Sequence, residues 1–65
     1  MSDERLAELA ARLDGVAEEL ADLGMDALRE AIDAGAAKRP EAERRLTQAR
    51  RAVEKAAALL RSGAS

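Results

Sequence analysis

The sequence predicts an all-α protein built as an antiparallel hairpin of two helices. The composition is rich in the strong helix formers Ala, Leu, Glu and Arg and poor in β-branched residues. Apolar residues recur at alternating spacings of three and four along two stretches, as they do on one face of a helix. Gly35 and Pro40, residue types that end and begin helices, separate the stretches. A connection this short joins neighbouring helices that run in opposite directions.

The length of 65 residues allows one small domain, which we take as residues 1–65. A chain of this size buries only about 60% of the surface that its unfolded form exposes. It contains no Cys and no His, which excludes a disulfide and an ordinary structural zinc site. Its apolar residues are mostly alanine, and none is aromatic, so the core has little volume. We therefore expect a second chain to share in the burial.

The first helix is predicted over residues 3–34. Ser2 is suited to cap its first turn, and Asp3 and Glu4 place negative charge where the helix dipole favours it. Gly35 is suited to end it. The helix carries an a/d heptad pattern of apolar residues, which is the clearest pattern in the sequence: Leu6, Leu9, Leu13, Val16, Leu20 and Leu23.

Two alanines, Ala10 and Ala17, lie beside this pattern at e positions, where a second backbone can approach closely. Gly24 leaves an alternative open. If Gly24 ends the helix and Asp26 caps a new one, the chain becomes a three-helix bundle with a break at residues 24–26. A helical period continued through Gly24 keeps three apolar residues near the patterned face, namely Ala27, Leu28 and Ala31. Because a helical Gly costs only about 1 kcal/mol relative to Ala, we favour one continuous helix.

The second helix is predicted over residues 40–62, after a connection at residues 36–39. Pro40 suits the first helical position, where its missing N–H costs nothing. Residues 62–65 are expected to form a frayed tail. The helix has a second heptad pattern, half of it alanine: Ala42, Leu46, Ala49, Val53, Ala56 and Leu60.

The helices differ in length, which indicates an oligomer. A helix of about 32 residues is about 48 Å long, whereas one of about 22 residues reaches only about 33 Å. The shorter helix is therefore expected to cover the longer one to about Leu13 and to leave Leu6 and Leu9 in water. Exposed leucines in a row are typical of an interface. We expect a homodimer in which two hairpins form a four-helix bundle, with an interface drawn from Leu6, Leu9, Leu13, Val16, Leu20, Leu59 and Leu60.

Charge is divided unevenly between the two halves of the chain. Residues 1–37 contain three basic and ten acidic side chains, a balance of −7, and residues 38–65 contain eight basic and three acidic ones, a balance of +5. The back of the second helix carries a basic face, Arg44, Arg51 and Lys55, that fits a protein partner or the phosphates of a nucleic acid. Local pairs of Arg45 with Glu41 and of Arg50 with Glu54, together with docking against the acidic helix, explain the other basic residues more simply, so nucleic-acid binding is the lesser alternative.

The residues argue against catalysis and against a cofactor. Without His and Cys, the commonest general base, metal ligand and thiolate nucleophile are missing, and no phosphate-binding glycine motif is present. We therefore expect a non-enzymatic interaction or regulatory module that binds no metal, cofactor or small-molecule substrate. No stretch is apolar enough for a membrane span and the first residues do not resemble a signal peptide, which predicts a cytoplasmic protein.

Two runs, residues 39–46 and 49–56, are especially rich in Ala, Arg and Glu. In this they resemble segments of short helical proteins from bacteria with GC-rich genomes. The resemblance is one of composition. It implies a bacterial source and assigns no role to any residue.

Overall fold

A computed structural model of the chain describes residues 2–35 and 40–62. It contains two helices, α1 at Asp3–Asp33 and α2 at Glu41–Ser62, and no strand in the part that it describes. The all-α antiparallel hairpin is confirmed, with both helix ends within about one residue of the predicted bounds. Helix α1 runs through Gly24 without interruption, so the alternative three-helix bundle is wrong.

Both ends of α1 follow the capping signals in the sequence. The Ser2 side chain accepts a hydrogen bond from the backbone N–H of Arg5 at 3.3 Å, which satisfies one free donor of the first turn. At the other end, the N–H of Gly35 donates to the carbonyl of Ile32 at 2.9 Å. Gly35 has φ +79°, a left-handed conformation that a residue with a Cβ rarely adopts. Gly35 therefore ends α1 as predicted.

Helix α2 begins one residue later than predicted. Pro40 occupies the cap position, and its carbonyl accepts hydrogen bonds from the N–H groups of Glu43 at 3.1 Å and Arg44 at 3.4 Å. The predicted connection at residues 36–39 and the end of the predicted tail, residues 63–65, lie outside the described residues.

The hairpin is long and thin. Its principal extents are 50 × 15 × 12 Å and its radius of gyration is 15.2 Å, against about 11 Å for a compact domain of this length. It exposes 5149 Å² of surface, whereas a folded monomer of the same mass exposes about 4,000 Å². The excess of about 1,100 Å² exceeds the roughly 800 Å² that each partner buries in a standard protein–protein interface.

The two helices meet along a line of small residues. Ala10 and Ala17 of α1 are buried, as is Ala57 of α2. Gly24, one heptad after Ala17, is half-buried and has open space beside it. No other apolar residue in the described ranges is buried to the same degree. Small side chains allow the backbones to approach closely, so the helices gain contact without large core residues. Larger apolar residues surround this line and are half-buried: Leu6, Leu13, Leu20, Leu28, Leu46, Val53 and Leu60.

The contact between the helices follows the predicted heptad patterns only in part. In each helix, every second residue of the predicted pattern is replaced in the contact by the residue that follows it. In α1 it passes through Ala10 and Ala17, which were predicted to lie at the flank, and leaves Leu9 and Val16 exposed. The residues shared by both patterns, Leu6, Leu13 and Leu20, are half-buried, as either pattern requires. A shift of one residue is a rotation of about 100°, which moves the leucines to the edge of the contact.

Helix α2 also reaches further along α1 than its length predicted. Leu60 lines a shallow cleft together with Asp3 and Ala7, although α2 was expected to end near Leu13. Leu6 is consequently half-buried rather than bare.

The position of the first turn of α2, at the other end of the hairpin, explains why α2 reaches so far along α1. Glu43, in the first turn of α2, lines a cleft with Gly24 and Leu28, so α2 begins well before the end of α1. The last turn of α1 therefore projects beyond α2, and Ile32 is largely exposed there.

Candidate interaction surfaces

One edge of the contact between the helices is polar. The guanidinium of Arg61 donates two hydrogen bonds to the carboxylate of Asp14, at 2.6 and 3.3 Å. Hydrogen bonding to Arg61 lowers the pKa of Asp14, and the same contact raises the pKa of Arg61. Arg50 and Glu54 of α2 line a cleft with Asp14 on this side of the hairpin and pair with each other at 3.3 Å. The predicted pair Arg50–Glu54 is therefore present.

The opposite edge of α1 is apolar. Leu9, Val16 and Leu23 recur at intervals of seven residues and are 45%, 42% and 53% exposed. We call these three residues the apolar stripe. Val16 lies about 160° around the helix from Asp14. The apolar stripe therefore lies on the side of the hairpin away from the Asp14–Arg61 pair, and no part of α2 covers it fully.

Helix α2 contributes apolar surface to the same side. Leu59 lies about 160° around α2 from Arg61, and it is 63% exposed. Ala49 and Ala52 are exposed, and Ala56 is half-buried. In an antiparallel pair the two helices present matching edges to the same side, so these residues extend the surface that begins with the apolar stripe.

The predicted interface residues thus fall into two groups. Leu6, Leu13, Leu20 and Leu60 are half-buried between the helices, and Leu9, Val16 and Leu59 are exposed. Leu23 belongs to the exposed group although it was not included in the predicted interface. Its spacing of seven from Val16 was the signal that could have included it.

The predicted basic face is exposed on the back of α2, away from α1. Arg44 lies 4.0 Å from the carboxylate of Glu41, a loose contact within the first turn. Neither Arg51 nor Lys55 forms an ion pair with any residue of the described ranges. The predicted pair of Arg45 with Glu41 is not formed, and Glu41 contacts Arg44 instead.

One acidic residue of α2 is buried against α1. Glu43 is only 7% exposed, and it lines a cleft with Gly24 and Leu28 of α1. Its carboxylate accepts a hydrogen bond from the hydroxyl of Thr47 at 3.0 Å. The predicted apolar pattern of α2 begins at Ala42, but Ala42 is exposed. The next residue, Glu43, is buried in its place.

Across residues 2–35 and 40–62, no three acidic side chains come together in a way that could hold a metal ion. Neither of the two helices has a stretch apolar enough to cross a bilayer. No protein-family model matches the chain, and no match was found among curated proteins or among solved structures.

Proposed function

We propose that this chain is a non-enzymatic protein–protein interaction module that associates with a second copy of itself. The observation that carries the proposal is the apolar stripe. Three large apolar side chains at heptad spacing are about half exposed to water, on a hairpin whose buried apolar residues, in the part described, are three alanines. Water is a poor environment for such a row, and a second apolar surface is its natural partner.

The size of the exposed surface supports the same proposal. The excess of about 1,100 Å² over a compact monomer is enough for a specific dimer interface. A second hairpin laid on the side that carries the apolar stripe and Leu59 gives a four-helix bundle with one shared core. Dimerisation would thereby supply the core volume that alanine-rich helices lack.

Sedimentation equilibrium over a wide range of chain concentrations tests this proposal. We expect a dimer at micromolar concentrations. Replacing Leu9 with Asp introduces a charge into the interface, so it should yield monomers with reduced helicity. Ala11→Asp is the matched control, because it makes the same change in charge at an exposed position on the far side of α1. A wild-type chain that remains a compact monomer, or equal dissociation by both variants, would refute the proposal.

A second candidate function is association with nucleic acid through the basic face. One observation favours it: Arg51 and Lys55 are exposed and unpaired among the described residues. Against it stand the acidic net charge of −2 and the absence of aromatic residues that could stack on bases. Titration of labelled duplex and single-stranded nucleic acid at low salt tests it, because phosphate contacts are strongest under that condition. Absence of binding there would exclude it.

A further inference from the structure

The charges beside the apolar stripe form a second line along α1. Arg5, Arg12, Glu19 and Asp26 recur at intervals of seven residues, and all four are exposed. Each of the last three follows a residue of the apolar stripe by three positions, which places the line about 60° beyond the stripe, on the side away from α2. We call these four residues the charged line.

The sign of the charged line changes at its middle. Its N-terminal half is basic and its C-terminal half is acidic, whereas the rest of α1 is predominantly acidic. Of the three arginines in α1, two stand on this line. None of the four side chains forms an ion pair with a residue of the described ranges. The part of the hairpin that the structure describes therefore offers them no partner.

We infer that the dimer is formed by antiparallel packing of α1 on α1 of a second copy, with the two-fold axis at Val16. The inference depends on the self-association proposed above and specifies its geometry. In this arrangement the stripe is its own complement, because Val16 meets its symmetry mate and Leu9 meets Leu23 of the second copy. A two-fold interface requires such self-complementarity.

The charged lines of the two copies become complementary in the same arrangement. In an antiparallel pair, matching edges of the two helices lie on the same side, so one charged line faces the other. Arg12 then lies opposite Glu19 of the second copy, and Arg5 lies opposite Asp26. Symmetry forms each pair twice. Flanking charges of this kind select helix orientation in coiled coils.

Other arrangements leave the charges without this match. A parallel α1 pair places the two charged lines at opposite edges of the contact, where they do not meet. Packing of α1 on α2 of the second copy places the charged line beside the edge of α2 that carries Arg45, Ala52 and Leu59. Arg45 can face Glu19 or Asp26 there, but no acidic residue at this heptad spacing faces Arg12. The charge pattern therefore favours the antiparallel α1 pair.

Cysteine cross-linking tests the arrangement directly, because the natural chain contains no cysteine. Under mild oxidation, Val16→Cys should form a disulfide-linked dimer. Leu9→Cys should not cross-link to itself, because its symmetry mate lies about 14 residues, or about 21 Å, away along the helix, beyond the roughly 7 Å that a disulfide allows between Cα atoms. A mixture of Leu9→Cys and Leu23→Cys chains should cross-link.

The cross-linking pattern separates the arrangements. Self-linking of Leu9→Cys would indicate a parallel pair, and absence of linking by Val16→Cys in a chain that still dimerises would indicate packing of α1 on α2. Either result overturns the inference while the proposed function stands. A wild-type chain that sediments as a monomer would refute both the proposed self-association and the inferred geometry. Circular dichroism of each variant establishes that the helices are retained.

Charge exchange provides a second, independent test. Arg12→Glu creates two repulsive contacts in the dimer, as does Glu19→Arg, so each should raise the dissociation constant on the order of tenfold at low salt. A mixture of the two variants forms a heterodimer in which both pairs are attractive again, as does the double variant with itself. Both should regain the wild-type affinity.

Arg29→Glu serves as the matched control, because it makes the same change in net charge at an exposed position outside the charged line. It should leave the dissociation constant within about twofold of the wild type. Failure of the mixture to recover affinity, or an equal effect of Arg29→Glu, would show that Arg12 and Glu19 do not face each other and would overturn the inference.

Discussion

Replacing Ala10 with Leu tests the contact between α1 and α2 where it is closest. Ala10 is fully buried, at 0% exposure, and the buried apolar residue of α2 is again an alanine, Ala57, at 1%. An added isopropyl group has no space unless the helices move apart. Overpacking of this kind costs about 1–3 kcal/mol. The difference in helix propensity between Ala and Leu is only about 0.2 kcal/mol, so the cost is almost entirely one of packing.

For a domain of this size, 1 kcal/mol corresponds to about 4–8 °C in Tm. We therefore expect Ala10→Leu to melt about 5–20 °C below the wild type when helicity is followed by circular dichroism. Ala11→Leu is the control, because it makes the same change one residue along, at an exposed position. The chains are compared at equal concentration, since self-association would shift Tm. If the two variants melt together, Ala10 does not lie in the contact and the packing described above is wrong.

Three further predictions concern the glycines and the polar edge. Gly24→Ala should raise the free energy of unfolding, measured by urea titration, by up to about 1 kcal/mol, because the position is helical and an added Cβ meets no atom within 4 Å. A loss of stability would mean that α2 lies too close to Gly24 to leave room for a methyl group. Gly35→Ala should lower the free energy of unfolding by about 1 kcal/mol, because its φ of +79° strains any residue with a Cβ; an unchanged midpoint would contradict that conformation. The pKa of Asp14 is lowered in the folded chain, so its contribution to stability is present above the pKa of the unfolded state and is lost as the pH falls through the folded value. The difference in Tm between the wild type and Asp14→Asn should therefore narrow below about pH 4, and a difference that persists in acid would exclude an electrostatic origin.

The helices and their ends could be predicted because their causes are local. Ser2 caps α1 through a hydrogen bond to a residue three positions away, and Gly35 ends it through its own backbone conformation. Alternating spacings of three and four identified the apolar face of each helix. The continuity of α1 through Gly24 also followed from periodicity, since the residues after it keep the same phase.

The exposed basic face could also be predicted in position. Arg44, Arg51 and Lys55 lie on the back of α2, because residues opposite the apolar pattern of an amphipathic helix face solvent. Which molecule these residues bind depends on the surface of a partner, and the sequence of one helix does not identify that partner.

Tertiary structure decided which of two neighbouring apolar lines faces α2. Periodicity shows that residues share a face, but Leu9 and Ala10 lie only about 100° apart, and both continue at heptad spacing. The alanines lie in the contact because they let the backbones approach closely, and the leucines are displaced to the edge. Likewise, the start of α2 beside Gly24 and Leu28 depends on how the helices slide past each other, which their lengths do not determine.

The sequence by itself therefore determined two helices, the caps of α1, their antiparallel arrangement and one apolar face on each. Packing of the pair decided how that face is divided, with Ala10 and Ala17 placed against α2 and Leu9 and Val16 left exposed. The physical reason is that hydrogen bonding and side-chain period act within one helix, whereas the distance and rotation between helices depend on how closely the side chains of both can approach.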